Sequence, residues 1–273
     1  MGQCAHLRNY VNIGDCEVTA IAELRENTGV AVARRYGIEK VYKSHEEMLA
    51  SEQLDAIVAS QFFGRHGVIL NSLIDSNLPI FIEKPLAASI DVAQEIVNKL
   101  SSSKSKIMVG YHKRSDPATE WAKAEIDRLK ISGELGPMKY IRILMPAGDW
   151  IAGGFAGFID VGEEKLSLER DPPQVDMDDE TGGKYLKFVN YYIHQVNLMR
   201  FLLGERYSVT HADPSGVLFV GQSSSGVPCT IEMTPYRTTI GWQESAMVCF
   251  EKGYVKLELP APLASNVAGT VEV

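Results

Sequence analysis

The sequence has no C-x-x-C pair, no block of lysine and arginine, and no apolar run near the roughly 20 residues that a membrane helix requires. Each absence removes a class. The four cysteines, Cys4, Cys16, Cys229 and Cys249, are too scattered for a zinc framework or a secreted disulfide scaffold. No metal site is expected, and reduced thiols in a cytoplasmic protein are. The opening residues lack a basic stretch followed by an apolar one, which argues against a signal peptide. With 27 basic against 35 acidic residues and a formal net charge of -8, nucleic acid is not an expected partner. The missing apolar run excludes an integral membrane protein. What is present is ordinary globular composition, 45% hydrophobic and 23% charged over 273 residues, enough for one large domain or two ordinary ones.

The first half alternates between two periodicities. Short apolar runs at residues 17–23, 55–60, 79–83 and 106–110 suit buried strands. Residues 27–36, 45–51, 64–76 and 89–101 between them have helical character, the first closed by Gly37. Strands apolar on both faces, alternating with helices, predict a parallel sheet covered on both sides. The second half differs. Residues 116–130 form an amphipathic linking helix, 138–145 a strand, and 184–203 a long helix closed by Gly204. Residues 146–183, rich in Gly, Pro, Asp and Glu, read as loop. From Tyr207 onward, strand-like runs are separated by turn signals at Gly216, 223–226, Gly241 and 252–253, which predicts an antiparallel sheet. The expected organisation is an α/β domain over 1–110 and an α+β domain over 111–273.

The candidate residues fall at strand ends and on the long helix. Glu23 closes a predicted strand, where the acid of a dinucleotide-binding domain meets the adenine ribose hydroxyls and disfavours a 2′-phosphate. Arg25, two residues on, pulls the other way, because a guanidinium accepts a phosphate. Glu83-Lys84-Pro85 follows another strand, at the edge where open α/β sheets bind ligands. A free lysine is a poor base at neutral pH, but burial lowers its pKa. His66 lies past the strand at 55–60 and borders the cofactor or simply starts a helix. On the long helix, Asn190, His194 and Asn197 make a polar stripe at i, i+4 and i+7 on an otherwise apolar element. Such a stripe faces a cleft or finds partners. Tyr111 and Arg114 line a substrate cleft or belong to a solvated turn, and Trp150 forms a lid or packs a turn.

Taken together these pieces resemble the Gfo/Idh/MocA family of nicotinamide-dependent oxidoreductases over nearly the whole chain. Glu83-Lys84-Pro85 resembles its E-K-P motif. Residues 110–114 resemble its G-Y-N-R-R-like segment, with His112 in place of Asn. Residues 190–205 resemble its D-x-x-x-H helix and the ending that follows. The resemblance implies a Rossmann domain, then an α+β domain whose sheet forms the face of a homodimer or homotetramer. It implies hydride transfer between NAD, or NADP, and a hydroxyl carbon of a sugar, cyclitol or related polyol. It assigns catalysis to Lys84 and His194 and cofactor contact to Gly2, Glu83, Lys84 and Pro85, beside the candidates read from their places in the sequence: Glu23, Arg25 and His66 for the cofactor, and Asn190, Tyr111, Arg114 and Trp150 for the substrate.

Two departures bear on these roles. Gly2 resembles the third glycine of the G-x-G-x-x-G turn, without the first two or the opening strand, so a fragment is expected, with its final residues also cut within a strand. Asn190 stands where the family has aspartate, and an amide orients a hydroxyl without carrying a proton. Two alternatives therefore stand beside a dehydrogenase: an NAD-dependent glycoside hydrolase of the same fold, and a non-catalytic binding protein or inactive fragment.

Overall fold

The computed structural model describes residues 1–164, 166–233 and 242–273. It comprises two units, residues 1–110 with 156–190 and residues 111–155 with 191–273. The turn signal at Gly241 lies outside the described residues.

In the first unit a π-helical turn (Gly2–Leu7) runs into α1 (Arg8–Tyr10). There follow β1 (Ala20–Ala22), α2 (Glu26–Tyr36), β2 (Lys40–Tyr42), α3 (His45–Ser51) and β3 (Ile57–Ala59). Next come α4 (His66–Asp75), β4 (Ile80–Ile82), α5 (Ile90–Ser101) and β5 (Ile107–Val109). Helix starts follow side-chain capping. Ser44 accepts from the Glu47 amide at 3.2 Å and Ser89 from the Val92 amide at 3.3 Å, each satisfying a donor the helix leaves open. Gly37 ends α2 at φ 69°, a conformation that costs glycine little.

All five strands pair in parallel, but in two sheets, β1–β2 and β3–β4–β5. In the order such domains adopt, the opening strand joins the two halves, and no described strand takes that place. The core packs Ile57, Ala59, Ile80 and Ile82 against Ile69, Leu70, Leu73 and Ile74 of α4 and Val92 and Ile96 of α5. The opposite face of β3–β5 carries Val58 and Met108, 40% and 60% exposed. A sheet covered on both sides was expected, and this one is buried on one face only. On the other, the His6 ring of the first turn lies 5.2 Å from the Phe81 ring.

The second unit holds α6 (Pro117–Ser132), β6 (Met138–Leu144) and the last part of α7 (Asp179–Leu203). Its remaining strands are β7 (Tyr207–Ala212), β8 (Leu218–Ser223), β9 (Pro228–Glu232), β10 (Ser245–Phe250), β11 (Tyr254–Glu258) and β12 (Thr270–Glu272). They form one sheet in the order β12-β11-β10-β6-β9-β8-β7, antiparallel except for β6–β9. Alternate residues on one face, Ile141, Ile143, Ile231, Ala246, Val248, Val255 and Leu257, are buried. That period of two is the pattern of a sheet with one covered face. Asp116 caps α6 through the Ala118 amide at 2.9 Å, with Pro117 in the first turn.

Residues 156–190 fold with the first unit and not, as the sequence suggests, with the second. The reason is a set of side chains that reach back to helix starts. Glu163 accepts from the Asn27 and Thr28 amides at 3.0 and 2.7 Å. Asp171 accepts from Gly67 and Val68, both at 2.9 Å. Gln174 accepts from Ile90 at 3.2 Å. A Cβ at Gly67 would lie 2.7 Å from Asp171 Oδ1, so glycine is what admits that carboxylate.

The burial pattern sets the cost of truncation. Leu70, wholly buried in α4, should lose roughly 2–5 kcal/mol as Leu70→Ala. Val58→Ala, on the exposed face, should lose under about 1 kcal/mol. Hydrogen exchange at the Ile80 and Ile82 amides under mild urea measures both, and equal losses would contradict the one-sided core.

Candidate active site

In the first unit the end of each buried strand delivers polar side chains. The peptide bond between Lys84 and Pro85, past β4, is cis. Three contacts fix this loop. His66, wholly buried at the start of α4, points Nδ1 at the Pro85 carbonyl, 2.9 Å away. Burial holds the His66 imidazole below its ordinary pKa, although the carbonyls of Gln61, Leu86 and Pro85 favour its charged form. A neutral ring donating from Nδ1 is therefore a backbone clamp on the Lys84–Pro85 turn.

His6 Nε2 lies 2.6 Å from Glu83 Oε1. Burial alone would raise the Glu83 pKa. The hydrogen bond and charge of His6, the Lys84 amide and the Lys84 ammonium outweigh it and bring the value below normal. Lys84 Nζ donates to the Asn190 backbone carbonyl at 2.5 Å. Burial lowers the Lys84 pKa and the Glu83 charge opposes that. The sequence assigns Asn190 a side-chain role. Here its exposed side chain is not what meets Lys84; its carbonyl is.

At the end of β1, Glu23 accepts from Arg25 three times, from the backbone amide at 3.1 Å, Nε at 2.9 Å and Nη2 at 3.0 Å. The guanidinium is thereby committed to a carboxylate. The nearby start of α2 is committed too, because Glu163 holds its amides and the Thr28 hydroxyl, the latter at 2.6 Å. Gly2 lies in the first helical turn, where an added Cβ would meet Ser60 Oγ at 3.6 Å, an ordinary contact. Space alone does not require glycine there. Gln3, beside it, pairs through both amide atoms with the backbone of Ile159 at 2.9 Å each.

The second unit collects a different set. The Tyr111 and His112 rings both stand edge-on to His194 of α7, with centroids 6.4 and 4.3 Å away. Burial raises the Tyr111 pKa, against the charge of Arg114. The Arg114 guanidinium lies over the Phe201 ring at 4.5 Å, two helical turns past His194. Trp150 is 37% exposed in a turn, its carbonyl accepting from the Leu263 amide at 3.1 Å. Tyr111 thus belongs to the ring cluster, and Arg114 acts on it through its charge.

Glu163, Asp171, Gln3 and His6 escape the sequence reading. A carboxylate that caps a helix a hundred residues away leaves no local periodicity, and His6 shows its partner only in three dimensions. Among the described residues no group of three or more His, Cys, Asp or Glu side chains could hold a metal ion, and no helix is long and apolar enough to cross a membrane.

Parallel strands that end on Glu23 and on Glu83-Lys84 fit a dinucleotide-binding domain. The residue chemistry fits NAD: an oriented carboxylate at Glu23 for ribose hydroxyls, and a half-buried ammonium at Lys84 beyond the next sheet's strands. Residues 2–111 match the Gfo/Idh/MocA oxidoreductase family with an NAD-binding Rossmann fold. It is 25% identical to the inositol 2-dehydrogenase of Rhizobium meliloti over 96% of this chain and 74% of that protein. It is 25% identical to the scyllo-inositol 2-dehydrogenase (NAD(+)) of Bacillus subtilis over 73% of this chain and 50% of that protein. The chain thus spans half to three quarters of the length of these relatives. The crystal structure of myo-inositol dehydrogenase from Lactobacillus casei with NAD(H) and myo-inositol shares the fold. Its TM-score is 0.68 at 21% identity, over 93% of this chain and 70% of that one.

The Glu163 contacts have a pH signature. Its pKa is lowered, first by the Thr28 hydroxyl and then by the Asn27 and Thr28 amides. A lowered folded pKa means the docking free energy is fully present above the ordinary glutamate value, about 4.3. It is lost as pH falls through the lower folded value. Protection of the Asn27 and Thr28 amides against hydrogen exchange should therefore drop in acid, and Glu163→Gln should lack that step. An identical step in the variant would show that another group controls it.

Proposed function

We propose that this chain is the core of an NAD-dependent dehydrogenase acting on a secondary hydroxyl of a cyclitol or sugar, in the cytoplasm. The observation that carries the reading is Lys84: a half-buried lysine with a lowered pKa, at a strand's carboxyl end, braced by His66 and His6 through their neighbours. The naming of relatives as inositol dehydrogenases supports the substrate class.

In this reading Lys84 binds the reacting hydroxyl and helps move its proton. Its depressed pKa brings proton exchange nearer to neutral pH. His194 is the second proton-exchanging group of this reading, with the Tyr111 and His112 rings edge-on to it. Asn190, in place of the family's aspartate, orients a neighbouring hydroxyl. Arg114 and Trp150 complete the substrate contacts. Bound NAD supplies the hydride acceptor. Gly2, Glu23, Arg25, His66, Glu83 and Pro85 hold or border it, and Glu23 takes the ribose hydroxyls. With Arg25 paired to Glu23 and the α2 amides paired to Glu163, no strong donor at that end favours a 2′-phosphate. NAD is therefore preferred over NADP.

The test is a titration of NAD and NADP followed by turnover of myo-inositol, scyllo-inositol and D-xylose. NAD should bind more tightly, and one of these polyols should release reduced nicotinamide. Lys84→Met should keep NAD affinity and lose kcat by about 100-fold or more. Turnover of a glycoside with no net reduced nicotinamide would move the assignment to an NAD-dependent hydrolase. NAD binding that Lys84→Met leaves intact, with no reaction on any polyol or glycoside, would make it a binding protein.

We also propose a homodimer or homotetramer built on the sheet of the second unit. The support is that Tyr140, Arg142, Thr230, Met247 and Cys249 on its second face are only partly buried in one copy. Sedimentation velocity should give two or four copies, and a monomer across the micromolar range would reject it.

A further inference from the structure

The ring cluster of the second unit stands beside a buried ionic network. Lys113 and Glu244 are 5% and 0% exposed at their side chains, with Nζ and Oε2 2.5 Å apart. Gln195 Nε2 donates to Glu244 Oε1 at 2.7 Å, and Trp242 Nε1 donates to Oε2 at 3.0 Å. One carboxylate thus takes donors from three segments. The ammonium also lies 5.5 Å from the centre of the Trp242 ring. Glu244 is itself fixed to the sheet, because its carbonyl accepts from the Leu259 amide at 2.9 Å, just before β10.

The chain neighbours of these donors give the network its meaning. Lys113 follows His112, and Gln195 follows His194, the two imidazoles whose centroids are 4.3 Å apart. On a helix, fixing residue 195 fixes the azimuth of residue 194, about 100° away. On the turn of residues 112–115, fixing Lys113 fixes the side to which His112 points. Glu244 is therefore the common anchor for both histidine-bearing segments. Stability alone does not require an ion pair here. Desolvating two charges offsets most of their attraction, and an apolar pair of similar volume often serves as well. What an apolar pair cannot supply is three directed hydrogen bonds.

We infer that Glu244, with Lys113 and Gln195, is a positioning group that sets the His112–His194 geometry for polyol turnover. The inference deepens the proposed function and rests on it for the role of His194. Three variants separate positioning from stability: Glu244→Gln, Lys113→Met, and the double variant Lys113→Met with Glu244→Leu. The readouts are melting temperature, the nuclear Overhauser effect between the His112 and His194 ring protons, and the split between kcat and KM with NAD and the best polyol. Each single variant should melt lower, weaken the Overhauser contact, and lose roughly 100-fold in kcat with KM within a few-fold. The double variant should regain part of the melting temperature, because Gln195 and Trp242 still lose their acceptor, but not the Overhauser contact or kcat. Recovery of all three in the double variant would overturn the inference, since the network would then only stabilise. Wild-type Overhauser contact and kcat in a destabilised single variant would overturn it too. Should Glu244→Gln fail to fold, the double variant decides alone. A chain that turns over no polyol would refute the proposed function, and the Overhauser arm would still test the anchor.

Discussion

Burial of β4 is the constraint on which the first unit depends. Ile80 and Ile82 are 2% and 0% exposed between α4 and α5, and their backbone groups are committed to β3 and β5 on either side. A central strand so enclosed has no freedom to shift register, because a slip by one residue would expose both isoleucines. The first residues past it inherit that precision. Glu83, Lys84 and Pro85 emerge at one fixed point, and two rings add constraint: His66 meets the Pro85 carbonyl and His6 meets the Glu83 carboxylate. A strand end is where an apolar core can give way to chemistry with little loss of packing, which is why ligands of open α/β sheets gather there.

The segment 156–178 follows from a second constraint, the open amides at helix starts. It carries acids and amides to three of them, at α2, α4 and α5. These bonds hold a loop of glycine, proline and acidic residues in the first unit, although residues 111–155 and 191–273 belong to the second. Its carboxylates complement the positive ends of two helix dipoles, while Gln174 supplies a neutral acceptor to the third. The same contacts occupy donors that an anion would otherwise use. That gives the adenine-ribose end its electrostatic character: carboxylates stand at every nearby donor, including Arg25.

How much of this is readable beforehand divides along a physical line. The strands at 57–59, 80–82 and 107–109 and the helices at 45–51 and 90–101 follow from local apolar runs and serine caps, and the sequence shows them within a few residues. So do Glu83 and Lys84, because a strand end is a local property. The strand at 40–42, Lys-Val-Tyr, has one aliphatic residue and so leaves no apolar run like those at 57–59, 80–82 and 107–109. The one-sided burial of β3–β5 and the allegiance of residues 156–190 are set by long-range pairing that no window of sequence contains. Lys113 is the instructive miss. In a run of Tyr, His, Lys and Arg it reads as one more solvated cation, and only Glu244, 131 residues away, makes it the buried member.

The polar stripe of α7 draws these lines together. Asn190, His194 and Asn197 share a face, as the period of 3.6 demands, yet each is used differently. Asn190 contributes its carbonyl to Lys84 and leaves its amide exposed. His194 is boxed by Tyr111 and His112. Asn197 has a buried side-chain oxygen without a hydrogen-bond partner among the described residues. Periodicity thus identifies the face correctly but not which atom of each residue acts. The residue that orients the stripe, Gln195, lies off it, buried at 1% exposure and bonded to Glu244. A helix that must present one polar face needs its rotation fixed from another side. Apolar packing of Leu198, Met199 and Leu202 tolerates small rotations, because dispersion contacts are individually weak and undirected. A hydrogen bond to a buried carboxylate does not, since misalignment leaves a charge unpaired in a medium that penalises it. The directed bond beside His194, more than the apolar bed beneath it, is what makes a single imidazole orientation the stable one.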